Sequence, residues 1–358
     1  MKLRFPLLAI LSLAPVALFA WGDYGHRAIS QLALSSLPAD FPPFVKASDE
    51  ANRIGFLANV PDRWRNVDPW LDQTGGSWTD HFFDIEQVAD AGLDAHALPW
   101  LRLDFAVAFA AGRAAHADRF PTIDPTKNLD HTREWCGFLP WAIAENYHRL
   151  QSAFSYLKAY EDLGGTPEEI ANAHADIVYS MGILAHYVGD GAQPLHTTVH
   201  HDGWVGANPS GFSTQKGFHS WIDSGLSAKL RLTPTELMGR VKPAAALAMG
   251  VRADRGDPVF FAAMDYIFAS NALVEPLYRL EKAGKLGRDD QPVAPEGRAF
   301  VEDRWLEGAT MLGSLWVTAW KTAPLDTYLR NQLGQRQAAA AAKAGSASPT
   351  DQATKTAP

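Results

Sequence analysis

The sequence predicts a mainly α-helical single domain, and three observations carry that prediction. From Pro140 onward, apolar residues recur at helical spacing in runs closed by clear start and stop signals. No strand pattern alternates with helices in a βαβ rhythm, and no fixed-period repeat is present. With 358 residues, 47% hydrophobic and 20% charged, the chain has an ordinary globular composition and can bury a large core.

Residues 1–20 read as a secretory signal. Lys2 and Arg4 give a positive start, Phe5 to Phe19 an apolar run, and Ala20 a small residue before the cut. That run is too short for a comfortable membrane span, and no later segment is apolar for long enough. Export to the periplasm or beyond is therefore expected, with Trp21 as the new N-terminus. Ile29, Leu32, Ala33 and Leu37 predict a first helix that starts near His26. A second is predicted over 45–60, closed by Pro61-Asp62, where Asp62 reads as a turn residue. A loop rich in Trp, Gly and Asp follows, and then His81-Phe82-Phe83-Asp84, whose alternation suits a short extended segment. Residues 88–135 read as loop-rich, with a helical run around 100–117. His96, His116, His131 and His148 read as surface or packing residues.

Trp141 to Leu163 carries an apolar stripe of Ile143, Tyr147, Leu150, Phe154 and Leu157, and Gly164-Gly165 ends it. Thr166-Pro-Glu-Glu is a good helix start, with Pro in the first turn and acids near the positive end of the dipole. That helix runs through Ile177, Met181 and Leu184. Further helices are predicted near 233–252 and 256–284, and a last one over about 297–322. The Ala-, Ser- and Thr-rich residues 331–358 read as a disordered tail. The organisation predicted is a signal over 1–20, one domain over 21–330, and the tail.

A formal net charge of -8 argues against a strong general attraction to polyanions. A phosphate-bearing substrate would need local cations, and a bound metal is the obvious source. Cys136 is the only cysteine, which excludes an intramolecular disulfide. Twelve Trp and eighteen Phe point to large buried cores or stacking surfaces.

The chemistry concentrates between His186 and Asp223. His186 and Asp190 are four apart, so on a helix they share a face. Pro194 should end that helix and return His196 to the same region, and His219 and Asp223 repeat the four-residue spacing. Three imidazoles and two carboxylates supply the nitrogen and oxygen donors of a zinc site. A freed amine and carbonyl at Trp21 could close a five-membered chelate, since an α-amino group titrates near about 7.7–8.0 and yields its proton to a metal. His26, five residues on, is a further candidate ligand, whereas Asp62 and His81 are weak signals taken singly.

Together, Trp21 with His26, Pro61-Asp62, His81-Phe82-Phe83-Asp84, His186-x3-Asp190-x5-His196 enclosing Gln193-Pro194-Leu195, and His219-x3-Asp223 resemble the zinc-dependent S1/P1 nuclease family and the related bacterial zinc phospholipases C. The resemblance runs from Trp21 to about Leu325. It implies a multi-helix phospholipase C/P1 nuclease-like fold with long loops around a trinuclear zinc site. One Zn2+ would be held by Asp62, His81, His186 and Asp190, and a second by Trp21, His26 and the bridging Asp190. The third would be held by His196, His219 and Asp223.

The resemblance further implies a secreted phosphodiesterase. A zinc-activated water would attack phosphorus in line, with Asp62 and Asp190 as the carboxylates at the catalytic metals. Single-stranded nucleic acid or nucleotides are the expected substrates, and a monomer with no obligate protein partner is expected. In the nuclease branch Phe82 would stack on a base and Asp84 bond its edge. Arg65 would meet the phosphate, with Arg63 competing for that role. Asn208, in a shifted Gly206-Ala207-Asn208, would help hold the base. The five-residue step from Trp21 to His26 and the Asp at 223 look like the nucleases, whereas Gly217-Phe218-His219-Ser220 is similar to the phospholipases. Phospholipid head-group hydrolysis is thus the alternative, with the Trp-rich loop 64–78 and Trp204 meeting lipid. A third reading is a helical protein whose zincs only hold the fold.

Overall fold

The computed structural model describes residues 21–67, 78–129, 131–249 and 256–346. The expected signal segment, most of the Trp-rich loop and the last residues of the expected tail lie outside these. Among the described residues the protein is mainly helical, with a single antiparallel bridge, Leu286 to Val293, in place of any strand.

The frame is an antiparallel hairpin of two long helices, α6 (Leu139–Leu163) and α7 (Pro167–Ala192). Gly164 ends α6 in the left-handed conformation at φ 71°, where a side chain would be strained. Thr166 starts α7 with a reciprocal cap: its hydroxyl accepts the Glu169 N–H, and the Glu169 carboxylate accepts the Thr166 N–H. Two shorter helices, α1 (Gly22–Ser36) and α2 (Ser48–Leu57), lie along α7. Two later ones complete the shell, α9 (Pro258–Asn271) against α6 and α11 (Pro295–Lys321) against α1, α6 and α7. The C-terminal half of α7 is therefore enclosed on all sides, and every residue from Met181 to Ala192 is buried. Gly182 makes the closest crossing possible, because a Cβ there would meet Leu57 of α2 at 2.3 Å. Aromatic side chains fill the core, with Trp141, Trp305, Trp316, Tyr147 and Phe105 all nearly inaccessible. Truncating one of these tryptophans to Ala would cost about 3–5 kcal/mol.

Four expectations from the sequence need correcting. Pro61-Asp62 does not close a helix: it lies in the first turn of α3 (Val60–Val67), where Pro is tolerated and Asp complements the dipole. His81 is not extended but ends a single 3₁₀ turn, Trp78–His81. The helix expected near 233–252 is only Pro234–Leu237 followed by a 3₁₀ turn, since Pro243 removes a backbone donor soon after. The tail is not disordered from 331. Residues Thr327–Ser346 form α12, anchored by buried Leu333 and by Gln337 and Arg336, which donate to the carbonyls of Leu163 and Gly164 at the open end of α6.

Three more helices complete the element order. Ile85–Asp90 is α4, Arg102–Ala115 is α5 and Val274–Lys282 is α10. Between α7 and α9, α8 is a composite run: α over Phe218–Ser220, π over Trp221–Gly225, and α again over Leu226–Leu230.

Candidate metal centre

Six parts of the fold deliver acids and imidazoles to one place. His26 comes from α1, Asp62 from α3, His81 from its 3₁₀ turn, His186 and Asp190 from the last turns of α7, and His196 from the 3₁₀ turn Pro194–Thr197 just after it. His219 and Asp223 come from α8. The structure thus assembles the side chains that the sequence singled out, in three groups. These are His26, Asp62 and His186; His81, His186 and Asp190; and His196, His219 and Asp223, each with ligand atoms within 4.8 Å of one another. All are buried except His219, which is partly open to solvent.

Donors about 2.0–2.2 Å from a tetrahedral ion lie about 3.3 Å from one another. The observed separations match. His186 Nε2 is 3.3 Å and His81 Nδ1 3.1 Å from Asp190 Oδ2, while His26 Nε2 is 3.4 Å from Asp190 Oδ1. In the third group His219 Nε2 is 3.0 Å from His196 Nε2 and 2.8 Å from Asp223 Oδ2. Asp190 therefore turns one oxygen to His26 and the other to His81 and His186. A carboxylate so placed could bridge two cations.

Hydrogen bonds behind the donors fix which atom faces inward. His186 donates Nδ1–H to the carbonyl of Ala58 at 2.8 Å, and His196 donates Nδ1–H to the carbonyl of His81 at 2.5 Å. Each ring therefore keeps its Nε2 lone pair for the centre. Those lone pairs point at other imidazole nitrogens, with His186 Nε2 only 2.9 Å from His81 Nδ1. Gln193 is fully buried. Its Nε2 donates to Asp223 Oδ1 at 2.6 Å and its Oε1 accepts the Leu195 N–H, so Oδ2 of Asp223 is left facing His219. His26 has neither ring nitrogen hydrogen-bonded, and Asp190 Oδ1 has no hydrogen-bond donor. Buried polar atoms of this kind cost about 1–3 kcal/mol each when unsatisfied. A bound cation would relieve that cost, and the donor set fits one.

Electrostatics agree with the packing. Burial opposes the Asp190 anion, yet His186 and His196 beside it hold its carboxyl well below the usual range. Burial likewise opposes charge on His186, and the Asp190 carboxylate outweighs it, leaving that imidazole above its ordinary value. For His196 burial prevails and the pKa falls.

Trp21 precedes α1 with its indole buried edge-on against Trp305, at 6.4 Å between centroids, and its carbonyl accepts the Gly25 N–H. The residues expected to touch substrate are placed less uniformly. Phe82 is half-buried, with its ring against Gly137. Asp84 is buried, accepts a bond from Gln87 and joins none of the three groups, and burial pushes its carboxyl well above the usual range. Asn208 uses its amide within its own loop, both donating to and accepting from Phe212 at 2.8 Å, which leaves little of it for a base. The side chain of Arg65 lies outside the described residues. Arg63 is exposed, 4.5 Å above the Phe56 ring and 3.7 Å from Asp23. Trp204 stacks on His200 at 3.8 Å and donates to the Ala207 carbonyl, so it packs its own loop rather than standing out toward lipid.

Two residues that touch these donors carry no sequence signal of their own: Gln193, apart from its place in the Gln-Pro-Leu-His motif, and Gly189, where a Cβ would lie 2.5 Å from His26 Nδ1. No protein-family model matches the chain, and no curated protein matches it.

Proposed function

We propose that this protein is a secreted, zinc-dependent phosphodiester hydrolase that acts on single-stranded nucleic acids or nucleotides. The observation that carries the reading is the Asp190 carboxylate, each of whose oxygens faces a different set of imidazole nitrogens at metal-ligand spacing. It is joined by a third, more open group on His196, His219 and Asp223. These are the side-chain donors that the resemblance to the S1/P1 nucleases calls for. Asp62, His81, His186 and Asp190 would hold one zinc, His26 with Asp190 and the freed Trp21 a second, and His196, His219 and Asp223 the third. Zinc, when bound, would supply a hydroxide-like nucleophile near neutral pH and compensate charge that develops on the phosphoryl group. The chain's own part is to fix the donors through Ala58, His81 and Gln193. His219, the most open of these residues, would meet substrate as it arrives.

The mature protein beginning at Trp21, given single-stranded DNA, RNA and phosphatidylcholine, tests this directly. Cleavage of the nucleic acids that is lost with a chelator and regained with zinc is expected. No nucleic acid cleavage by the zinc-loaded protein would overturn the reading. One observation favours phospholipid instead: Leu103 and Val107 stand 77% and 72% exposed on one face of α5, beside Trp100. Release of phosphocholine without nucleic acid cleavage would select that alternative.

A further inference from the structure

The 3₁₀ turn Trp78–His81 serves the candidate centre twice. The His81 ring lies 2.9 Å from His186 and 3.1 Å from Asp190, and the His81 carbonyl receives the Nδ1 proton of His196 in the third group. A small error in this turn would therefore displace donors in two groups at once. On its C-terminal side the turn is tied by backbone bonds: Phe138 N–H donates to Thr79, Leu139 N–H to Phe82, and Phe83 N–H to His196. On its flank it is tied by a side chain from a different part of the chain. Arg102, the first residue of α5, donates Nη1–H to Asp80 Oδ1 at 2.7 Å and Nε–H to Glu145 Oε1 of α6 at 2.8 Å. Its guanidinium lies 5.3 Å over the Phe138 ring, in the same segment that carries the backbone bonds.

We infer that Arg102 is a positioning residue for the metal centre. It clamps Asp80 to the long helix α6 and so sets the His81 turn, and through the His81 carbonyl it also sets His196. This rests on the metal-centre reading and is independent of the substrate. Arg suits the role because its planar fork can hold two carboxylates in fixed directions, whereas a Lys ammonium imposes no such geometry. Charge-assisted bonds in a partly enclosed site are the stronger kind, and outer-shell partners of metal ligands typically carry about 10–100-fold of metal affinity.

The test uses the mature full-length protein, stripped of metal and titrated with zinc against a chelating indicator. A second reading comes from the visible absorption of the cobalt-loaded form, which reports ligand geometry. For R102M we expect about 10–100-fold weaker zinc binding and an altered cobalt spectrum, with the far-ultraviolet circular dichroism of the metal-free protein unchanged. R102K should recover part of the affinity, since its ammonium still neutralises Asp80. A folded R102M with wild-type zinc affinity and an unchanged cobalt spectrum overturns the inference. Should R102M fail to fold, D80N decides, because it keeps the side chain's shape and removes its charge. Wild-type values for D80N overturn the inference and weakened binding supports it. A wild-type chain that takes up no zinc overturns the metal-centre reading itself, and that is visible in its own titration before any variant is made.

Discussion

Gly189 has no room for a side chain. A Cβ built there would sit 2.5 Å from His26 Nδ1, so the imidazole of α1 lies directly on the backbone of α7. Gly189→Ala should push that ring off Asp190. The expected result is loss of metal from the group containing His26 and at least about tenfold weaker binding, read as zinc stoichiometry on the dialysed protein. Gln193→Glu tests the third group in the same currency. It replaces a 2.6 Å amide-to-carboxylate bond with two facing carboxylates, so Asp223 should turn away and zinc binding there should weaken by about 10–100-fold. Unchanged zinc affinity would count against the role assigned to Gln193. At this scale the sequence was informative where donors repeat at helical spacing. It was blind to Gly189 and Gln193, because what matters about them is the neighbour each touches across the fold. Asp62 and His81 were weak signals alone and became legible only beside their partners.

Helices were legible where periodicity and caps agree, as in α6 and α7. They were misread where a local signal was outweighed. Pro61 opens α3 rather than closing α2, and the Ala-rich stretch after 331 continues as α12 because Leu333, Arg336 and Gln337 find partners on the α6–α7 hairpin. The Arg336 bond to Glu169 makes a test of that docking. Hydrogen bonds from Arg336 and from the Thr166 backbone hold the Glu169 carboxyl at about 2, below its ordinary 4.5. Because the folded value is depressed, the stabilisation is fully present above the ordinary value and is lost as pH falls toward 2. Arg336→Ala should therefore melt slightly below wild type near neutral pH. The gap in melting temperature should close as pH drops from about 4.5 to about 2. A gap that is constant with pH would mean that the pair does not couple α12 to the hairpin. The π segment Trp221–Gly225 belongs to this scale too: its wider turn places Asp223, and no spacing rule in the sequence announces it.

For the whole molecule, the candidate centre is where α1, α3, α7, α8 and the His81 and His196 turns meet, so metal and fold should depend on each other. Zinc held at about a thousand times its dissociation constant would add about 4 kcal/mol to stability by mass action. Chelation should accordingly lower the melting temperature by several degrees in a calorimetric scan, whereas an equal scan with and without chelator would separate the centre from the fold. The helical class was readable from composition and period. The way the chain closes on the centre was not, because it depends on contacts between segments far apart in sequence. The His81 carbonyl, which receives the His196 proton, has one more consequence. An ion that orders the His81 ring also orders the peptide that aims His196, and reciprocity requires the converse. With zinc bound as proposed, filling would then be cooperative: as zinc becomes scarce, molecules would sort into empty and complete populations, and half-loaded forms would stay rare. In a compartment where the metal is limiting, the same amount of zinc would yield fewer but fully equipped molecules.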